Sequence, residues 1–343
     1  MEQTVLITGG AGFLGSHLAE RYLLSGHRVI ALDNFATGRQ ENIALLQKVA
    51  GDRFLFIEAD VCKDWSTWIP RIPASWMTGL KSCFHFASPA SPPHYQRLGI
   101  ETMWVNTLAL EHCLRFADQL GAHVTFASTS EVYGDPEVSP QTESYRGWVN
   151  TWGPRACYDE AKRFGEALIY TWNQKRGTQH GCVRIFNTYG PRMNPVDGRV
   201  IINFLVQALN DQKLTIYGTG QQTRSFCYVD DLVDGIVLYS TRRLSRPVNI
   251  GSEGEFSVKE LGEMVRQIFA HKNLEFEYQP LPADDPKQRR PDLTLARECL
   301  APWGGPKVDL KSGLLRMVDW LDKELRSKPG GLATAPSPKV QHQ

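Results

Sequence analysis

The 343-residue sequence predicts an α/β fold, a doubly wound parallel sheet with a smaller α/β lobe interleaved with it. Three observations carry that reading. Short β-branched runs alternate with helical patterns over the first 130 residues, and a glycine-rich turn joins the first run to the first helix. Beyond Asn187 the alternation breaks into Pro- and Gly-rich loops with short strands.

Taken in order, Thr4-Val5-Leu6-Ile7 reads as a buried strand, followed by a Gly-rich turn and a helix over about 13–25. Strands follow at 28–32, 54–57, 83–86 and 123–126, with an apolar helix around 101–119. A long helix is expected from Tyr158 to about Lys175, and a strand over 181–186. Later elements are a strand at 214–217 and helices near 200–211, 257–271 and 310–326. The expected division is a dinucleotide-binding domain over 1–187, rejoined by about 226–250, and a substrate lobe mainly over 188–326. Residues 327–343 hold three prolines and no apolar period, and read as a loose tail.

Composition narrows the function classes. Apolar residues make up 42% and charged residues 22%, which excludes a disordered or collagen-like chain. Lys+Arg 38 against Asp+Glu 37 leaves +1, so no electrostatic footprint for nucleic acid or an anionic membrane is expected. No run of about 18 apolar residues predicts a membrane span. Three residues before the first strand leave no room for a signal peptide. The seven cysteines are odd in number, scattered and without C-x-x-C, which suits reduced thiols in a cytoplasmic protein. No His/Cys/carboxylate spacing suggests a metal site.

Two constellations carry chemistry. Gly9-Gly10-Ala11-Gly12-Phe13-Leu14-Gly15 follows a strand and opens a helix. That is the Rossmann arrangement for a dinucleotide pyrophosphate: glycines admit the phosphates and the helix start offers free N–H groups. Asp33 ends the next strand, 18 residues beyond Gly15, where a carboxylate suits a ribose 2′-hydroxyl and repels a 2′-phosphate. The cofactor predicted is NAD. Asp60-Val61, after the third strand, is a candidate contact for the adenine. Tyr158 and Lys162 form Y-x-x-x-K, one helical turn apart on one face. A neighbouring ammonium is expected to lower the phenol pKa, so that the pair can take a proton from a sugar hydroxyl. Upstream stands a polar cluster, Ser128-Thr129-Ser130-Glu131.

Gly9 to Gly15, Tyr158/Lys162 and Thr129-Ser130-Glu131-Val132-Tyr133-Gly134 resemble the extended short-chain dehydrogenase/reductase family that modifies nucleotide sugars. Within it, the likeness is strongest to the branch that decarboxylates UDP-glucuronate. The residues carrying this are Ser88-Pro89-Ala90-Ser91-Pro92-Pro93, Gly153-Pro154-Arg155-Ala156-Cys157-Tyr158-Asp159-Glu160, Asp197-Gly198-Arg199 and Asp284-Asp285-Pro286. The resemblance implies that Tyr158, with Lys162, removes the C4 hydroxyl proton while Thr129 bonds the same oxygen. Glu131 would protonate C5 after CO2 is lost. It assigns Gly9, Gly12, Phe13, Leu14, Gly15, Asp33, Asn34, Thr37, Gly38, Asp60, Val61, Ala87, Ser88, Tyr158, Lys162, Thr188 and Arg199 to NAD. It assigns Ser88, Glu131, Asn187, Arg199, Tyr217, Arg224 and Arg289 to a UDP-sugar. It also implies a homodimer built on the helix near 101–119 and the helix of Tyr158. The width of the apolar face formed by Met103, Trp104, Leu108, Leu110, Leu114, Phe116 and Ala117 agrees with that.

Alternatives from other classes are a 4-epimerase or 4,6-dehydratase on another nucleotide sugar, and a catalytically idle NAD-binding sensor. Dehydratases carry Asp-Glu where this chain has Ser130-Glu131, and epimerases usually have a small residue at Glu131. Two departures from the decarboxylase pattern stand out. The stretch between Val61 and Phe84 is longer, tryptophan-rich and lacks a Pro-Leu-Tyr element. Trp104 stands where the family has a substrate-contacting lysine.

Overall fold

A computed structural model describes residues 3–281, 286 and 288–326. The expected tail, and Asp284 and Asp285 of the Asp-Asp-Pro motif, lie outside the described residues. The main sheet contains β1 (Thr4–Thr8), β2 (Arg28–Asp33), β3 (Phe54–Glu58), β4 (Leu80–His85), β5 (His123–Thr129), β6 (Gly181–Ile185) and β7 (Val248–Ile250). Their order across the sheet is β7-β6-β5-β4-β1-β2-β3, and every pair is parallel. The order reverses beside β1, so the carboxyl ends of β1 and β4 open a crevice there. Open parallel sheets bind ligands at that point.

The central strands are apolar on both faces, as a sheet covered by helices on both sides requires. Val5, Ile7 and Val29 point into one core with the helices Phe13–Leu24, Gln40–Ala50 and Val229–Thr241. Leu6, Ile30 and Leu32 point into the other, with the helices Leu108–Leu120 and Ala156–Arg176. The lobe after β6 is built around the helices Val200–Leu209 and Val258–Ile268 and small sheets, including Leu214–Tyr217 beside Phe276–Gln279. Strand β7 returns from it to the edge of the main sheet.

Two local features differ from the sequence expectation. The helix near 101–119 breaks at Thr107 into Gly99–Asn106 and Leu108–Leu120. The Thr107 hydroxyl donates to the Met103 carbonyl at 2.8 Å, while its N–H turns to Trp104. This is how a β-branched hydroxyl residue competes with the helical ladder. The long connection after β3 folds into short helical turns that bury Trp65 and Trp68 against each other and Phe116. Its extra length covers the outer core of the sheet and stays away from the crevice.

Candidate active site

The crevice is a cavity of about 480 Å³ lined by Gly9, Gly12, Ser88, Thr129, Glu131, Tyr158, Lys162, Asn187, Thr188, Arg199, Tyr217, Arg224 and Arg289, among others. Its floor starts at the glycine turn. Gly9 has φ +76°, and a Cβ on Gly15 would stand 2.0 Å from the Gly9 carbonyl oxygen. Only glycines let the turn close this tightly onto the helix Phe13–Leu24. No side chain caps that helix, and its first turn carries no acidic residue. Its N–H groups and positive dipole end therefore face the cavity, together with Ala11, Phe13 and Leu14.

Asp33, at the end of β2, accepts N–H bonds from Ala11 (3.0 Å) and Phe35 (2.8 Å), and burial raises its pKa. These bonds fix the turn beside it. A Cβ on Gly38 would stand 2.7 Å from Asp33 Oδ1, so Gly38 keeps that carboxylate approachable. A glycine cradle, a bare helix start and a buried carboxylate at the next strand end form a donor and acceptor set that fits a dinucleotide.

The other expected NAD contacts lie at the margin of the cavity. Thr37 lines the cavity; Asp33, Asn34, Gly38, Asp60, Val61 and Ala87 stand outside its lining. Asn34 accepts the Ala36 N–H, and Asp60 that of Cys62. The Val61 side chain packs in the core, and its carbonyl takes the Trp65 indole N–H at 2.9 Å. Trp104 is 55% exposed and away from the cavity, so the departure at that position changes the surface rather than the lining.

The reactive wall is made where β5 runs into the turn Ser130–Tyr133 and meets the helix Ala156–Arg176. Gly134 ends the turn at φ +62°, and a Cβ there would come within 1.8 Å of the Trp148 carbonyl oxygen, so glycine alone fits. Tyr158 and Lys162 project from one helical face and are both buried. The Tyr158 ring stacks on Tyr95, with centroids 4.9 Å apart and planes at 8°. Burial raises the Tyr158 pKa, and the hydrogen bond from Thr129 partly opposes this.

The expected lowering of Tyr158 by Lys162 is not what the structure shows. Lys162 Nζ donates to the Ala127 carbonyl at 2.7 Å and lies 5.6 Å from the tyrosine ring centroid. Its own pKa is pushed down to about 7 by burial. An ammonium tied to a carbonyl, and itself held near neutrality, is a weak perturber of its neighbour.

Glu131 is the electrostatic centre of the wall. Its Oε2 receives Arg289 Nη2 at 2.6 Å and Arg155 Nη2 as a second ion pair. Burial opposes its charge, but Arg289 and Arg155 prevail and hold its pKa down to about 2. Arg289 is 1% exposed and also donates to Ser130 Oγ (3.0 Å) and the Gly134 carbonyl (3.1 Å). Arg199 forms a two-pronged pair with Asp197, at 2.5 and 2.9 Å. Arg224 donates to the Thr223 carbonyl at 2.8 Å.

Sequence reasoning missed three lining residues. Arg155 appeared only as a letter of a motif, although it stands one turn before Asp159 and three residues before Tyr158. Tyr95 has no local signal, because its role comes from stacking across two helices. Arg39 lines the cofactor end and pairs with Glu324 of the distant helix Leu310–Arg326.

Residues 5–251 match the NAD dependent epimerase/dehydratase family. The chain belongs to that family. UDP-glucuronic acid decarboxylase 1 of Danio rerio is 41% identical over 336 residues, covering 98% of this chain and 76% of the relative. UDP-glucuronic acid decarboxylase 3 of Arabidopsis thaliana is 42% identical, covering 92% and 88%. Among solved structures, UDP-glucose 4-epimerase from Thermotoga maritima with UDP-glucose superposes with a TM-score of 0.84. It is 27% identical, with 94% of this chain and all of that one covered. The UDP-glucuronic acid 4-epimerase of Bacillus cereus, in complex with UDP-glucuronic acid and NAD, gives 0.80 at 26% identity and the same coverage. The cofactor of the family member described here is NAD.

Lys162 yields a stability test. Above pH 10.5 it is neutral folded and unfolded; as pH falls, the unfolded chain takes up a proton that the folded one takes up only near pH 7. The folded state therefore loses stability from pH 10.5 down to about 7, and the loss is complete below that. Lys162→Met should be more stable than wild type at pH 7 by on the order of a few kcal/mol, with the gain fading as pH approaches 10.5. Urea melts at several pH values decide it; a difference independent of pH would contradict the burial of this charge.

Proposed function

We propose that this protein decarboxylates UDP-glucuronate to UDP-xylose through a UDP-4-keto intermediate, with NAD recycled. The observation that carries the reading is Glu131, a carboxylate set between Arg155 and Arg289 on the same wall as Thr129 and Tyr158. A reaction that only inverts C4 needs the tyrosine, lysine and hydroxyl and no such group. The extent of likeness to the decarboxylases supports the same choice.

Tyr158 accepts the C4 hydroxyl proton, with Thr129 bonded to the same oxygen. Held along the glycine turn with Ser88, Thr188 and Arg199, NAD would supply the hydride acceptor for C4 and the hydride that restores it. The C4 ketone makes the C6 carboxylate a β-keto acid. The C5–C6 bond then breaks, CO2 leaves, and its electron pair spreads onto the C4 oxygen, where Tyr158 and Thr129 stabilise the charge. A proton from Glu131, direct or through water, adds to C5. Tyr158 finally returns its proton to the C4 oxygen. The balance consumes one proton and releases one CO2.

The roles of the remaining residues belong to this reading. Residues 1–187, with 226–250, hold NAD through the glycine turn, Ser88, Thr188 and Arg199. Residues 188–326 mainly hold the UDP-sugar, with Asn187, Tyr217, Arg199 and Arg224 along the nucleotide and Arg289 near the uronate. All seven cysteines are free, which suits a reducing compartment such as the cytoplasm. Among the described residues no helix is long and apolar enough to cross a membrane.

Incubation with UDP-glucuronate and NAD, followed by chromatography, should give a UDP-pentose and CO2. A UDP-hexuronate isomer would place the chain with the 4-epimerases, and an unchanged sugar with idle NAD binders. Tyr158→Phe should bind NAD like wild type yet lose turnover by at least roughly a hundredfold; turnover within a few-fold would exclude Tyr158 as the base.

The homodimer is part of the proposal. Ile100, Met103, Trp104 and Leu108 are exposed on one helix pair, and Phe164 and Tyr170 on the helix Ala156–Arg176 packed beside it. Such an apolar surface suits burial against a second copy. Light scattering at micromolar concentration should give twice 38.6 kDa, whereas the mass of one chain would exclude it.

A further inference from the structure

Glu131 poses a chemical problem for the decarboxylase reading, on which this inference rests. A proton donor to C5 must carry a proton, yet two guanidiniums hold Glu131 as a carboxylate. The two arginines are not equivalent. Arg289 is fixed by Ser130 Oγ and the Gly134 carbonyl as well as by Glu131, and it lies in a short strand paired with Thr223–Ser225. Arg155 stands at the start of the helix Ala156–Arg176 with no such anchors. Its guanidinium lies 5.9 Å from the Tyr95 ring centroid, and its Nε is 3.8 Å from Asp159 Oδ2. Asp159 is 5% exposed, and its Oδ1 is buried with no hydrogen-bond partner.

We propose that Arg155 is shared between Glu131 and Asp159, and that its transfer to Asp159 frees Glu131 to take up the proton it delivers to C5. Arg155 and Asp159 are thus positioning residues that act through Glu131. The geometry permits the exchange, because both carboxylates lie beside one guanidinium and Asp159 has an oxygen to offer it. The energetics agree. Burial and the Glu131 charge raise the Asp159 pKa to about 7, so Asp159 gains as an anion whenever Arg155 turns to it. Glu131 then keeps one cation instead of two, and its proton affinity rises. The other groups facing this cluster are Arg289, Glu160, Tyr95, Tyr158 and, through Tyr158, Arg199. The donated proton leaves Glu131 as a carboxylate and is replaced from solvent, so charge balances over a turnover.

The test uses NAD-loaded full-length protein and UDP-glucuronate in a single turnover, followed by NADH absorbance and product chromatography. Asp159→Asn removes the competing acceptor and leaves Arg155 on Glu131. Formation of NADH should stay within a few-fold of wild type, its decay should slow by roughly tenfold or more, and UDP-4-keto-pentose should be released in place of UDP-xylose. Asp159→Glu should restore the decay, and the wild-type decay should slow below pH 7 more steeply than that of Asp159→Asn, because protonating Asp159 removes the anion that receives Arg155. Arg155→Lys covers the case in which Asp159→Asn does not fold, since an ammonium cannot hold two carboxylates as a fork does. With Glu131 then held chiefly by Arg289, NADH decay should be at least as fast as in wild type and should lose the wild-type dependence on pH. A purely structural role would slow NADH formation and decay together, or lower the melting temperature alone, and either result overturns the proposal. If wild type releases no CO2, it is the decarboxylase reading that fails; if wild type decarboxylates but Asp159→Asn accumulates no NADH, or Arg155→Lys keeps the wild-type pH dependence, only the shared arginine fails.

Discussion

One buried carboxylate meeting two guanidiniums ties three distant stretches of chain into a single wall. Glu131 comes from the turn after β5, Arg155 from the start of the helix Ala156–Arg176, and Arg289 from a two-residue strand far along the chain. None of these charges would be tolerated alone at such depth, because desolvating an unpaired ion costs several kcal/mol or more. Their mutual attraction makes the wall possible. Removing the glutamate would leave two buried cations, which is a larger disturbance than losing one contact. The lobe and the sheet are thereby registered to each other at the point where the sugar must react.

Around that centre, the rest of the site follows from the sheet. Parallel strands end on one side, the strand order reverses beside β1, and the glycine turn there presents a bare helix start to the crevice. Tyr158 and Lys162 reach the same crevice because they lie one turn apart on a helix packed against β5. The Tyr158 hydroxyl gains a partner in Thr129, but burial keeps its proton in place, and Lys162 does little to change that. Deprotonation of this phenol therefore belongs to the assembled complex, where substrate and the positively charged nicotinamide share the cavity.

The central architecture was legible in the sequence because its signals are local. The runs that became β1, β2, β5 and β6 are short, apolar and β-branched, and Gly9 to Gly15 specifies both turn and helix start. The spacing of Tyr158 and Lys162 needs only helical geometry. Other features depend on partners far along the chain. Arg155 read only as part of a motif and Arg289 only as a substrate contact, and it is the fold that sets both on Glu131. Arg39 gains its place from Glu324, nearly the whole chain away. The sequence could not show that the Val61 side chain packs in the core and that its carbonyl takes the Trp65 indole, because both partners come from a connection with no local signal. The break at Thr107 was hidden because the apolar pattern continues through it, whereas a single hydroxyl decides the backbone.

A C4 hydride that is taken and returned within one site, while a new proton enters at C5, leaves an isotopic record. Conversion of UDP-glucuronate in D2O, followed by NMR of the product, reads it most directly. One deuterium is expected at C5, on a single face, with the original protium retained at C4. Deuterium at C4, or a C5 carrying none, would contradict it.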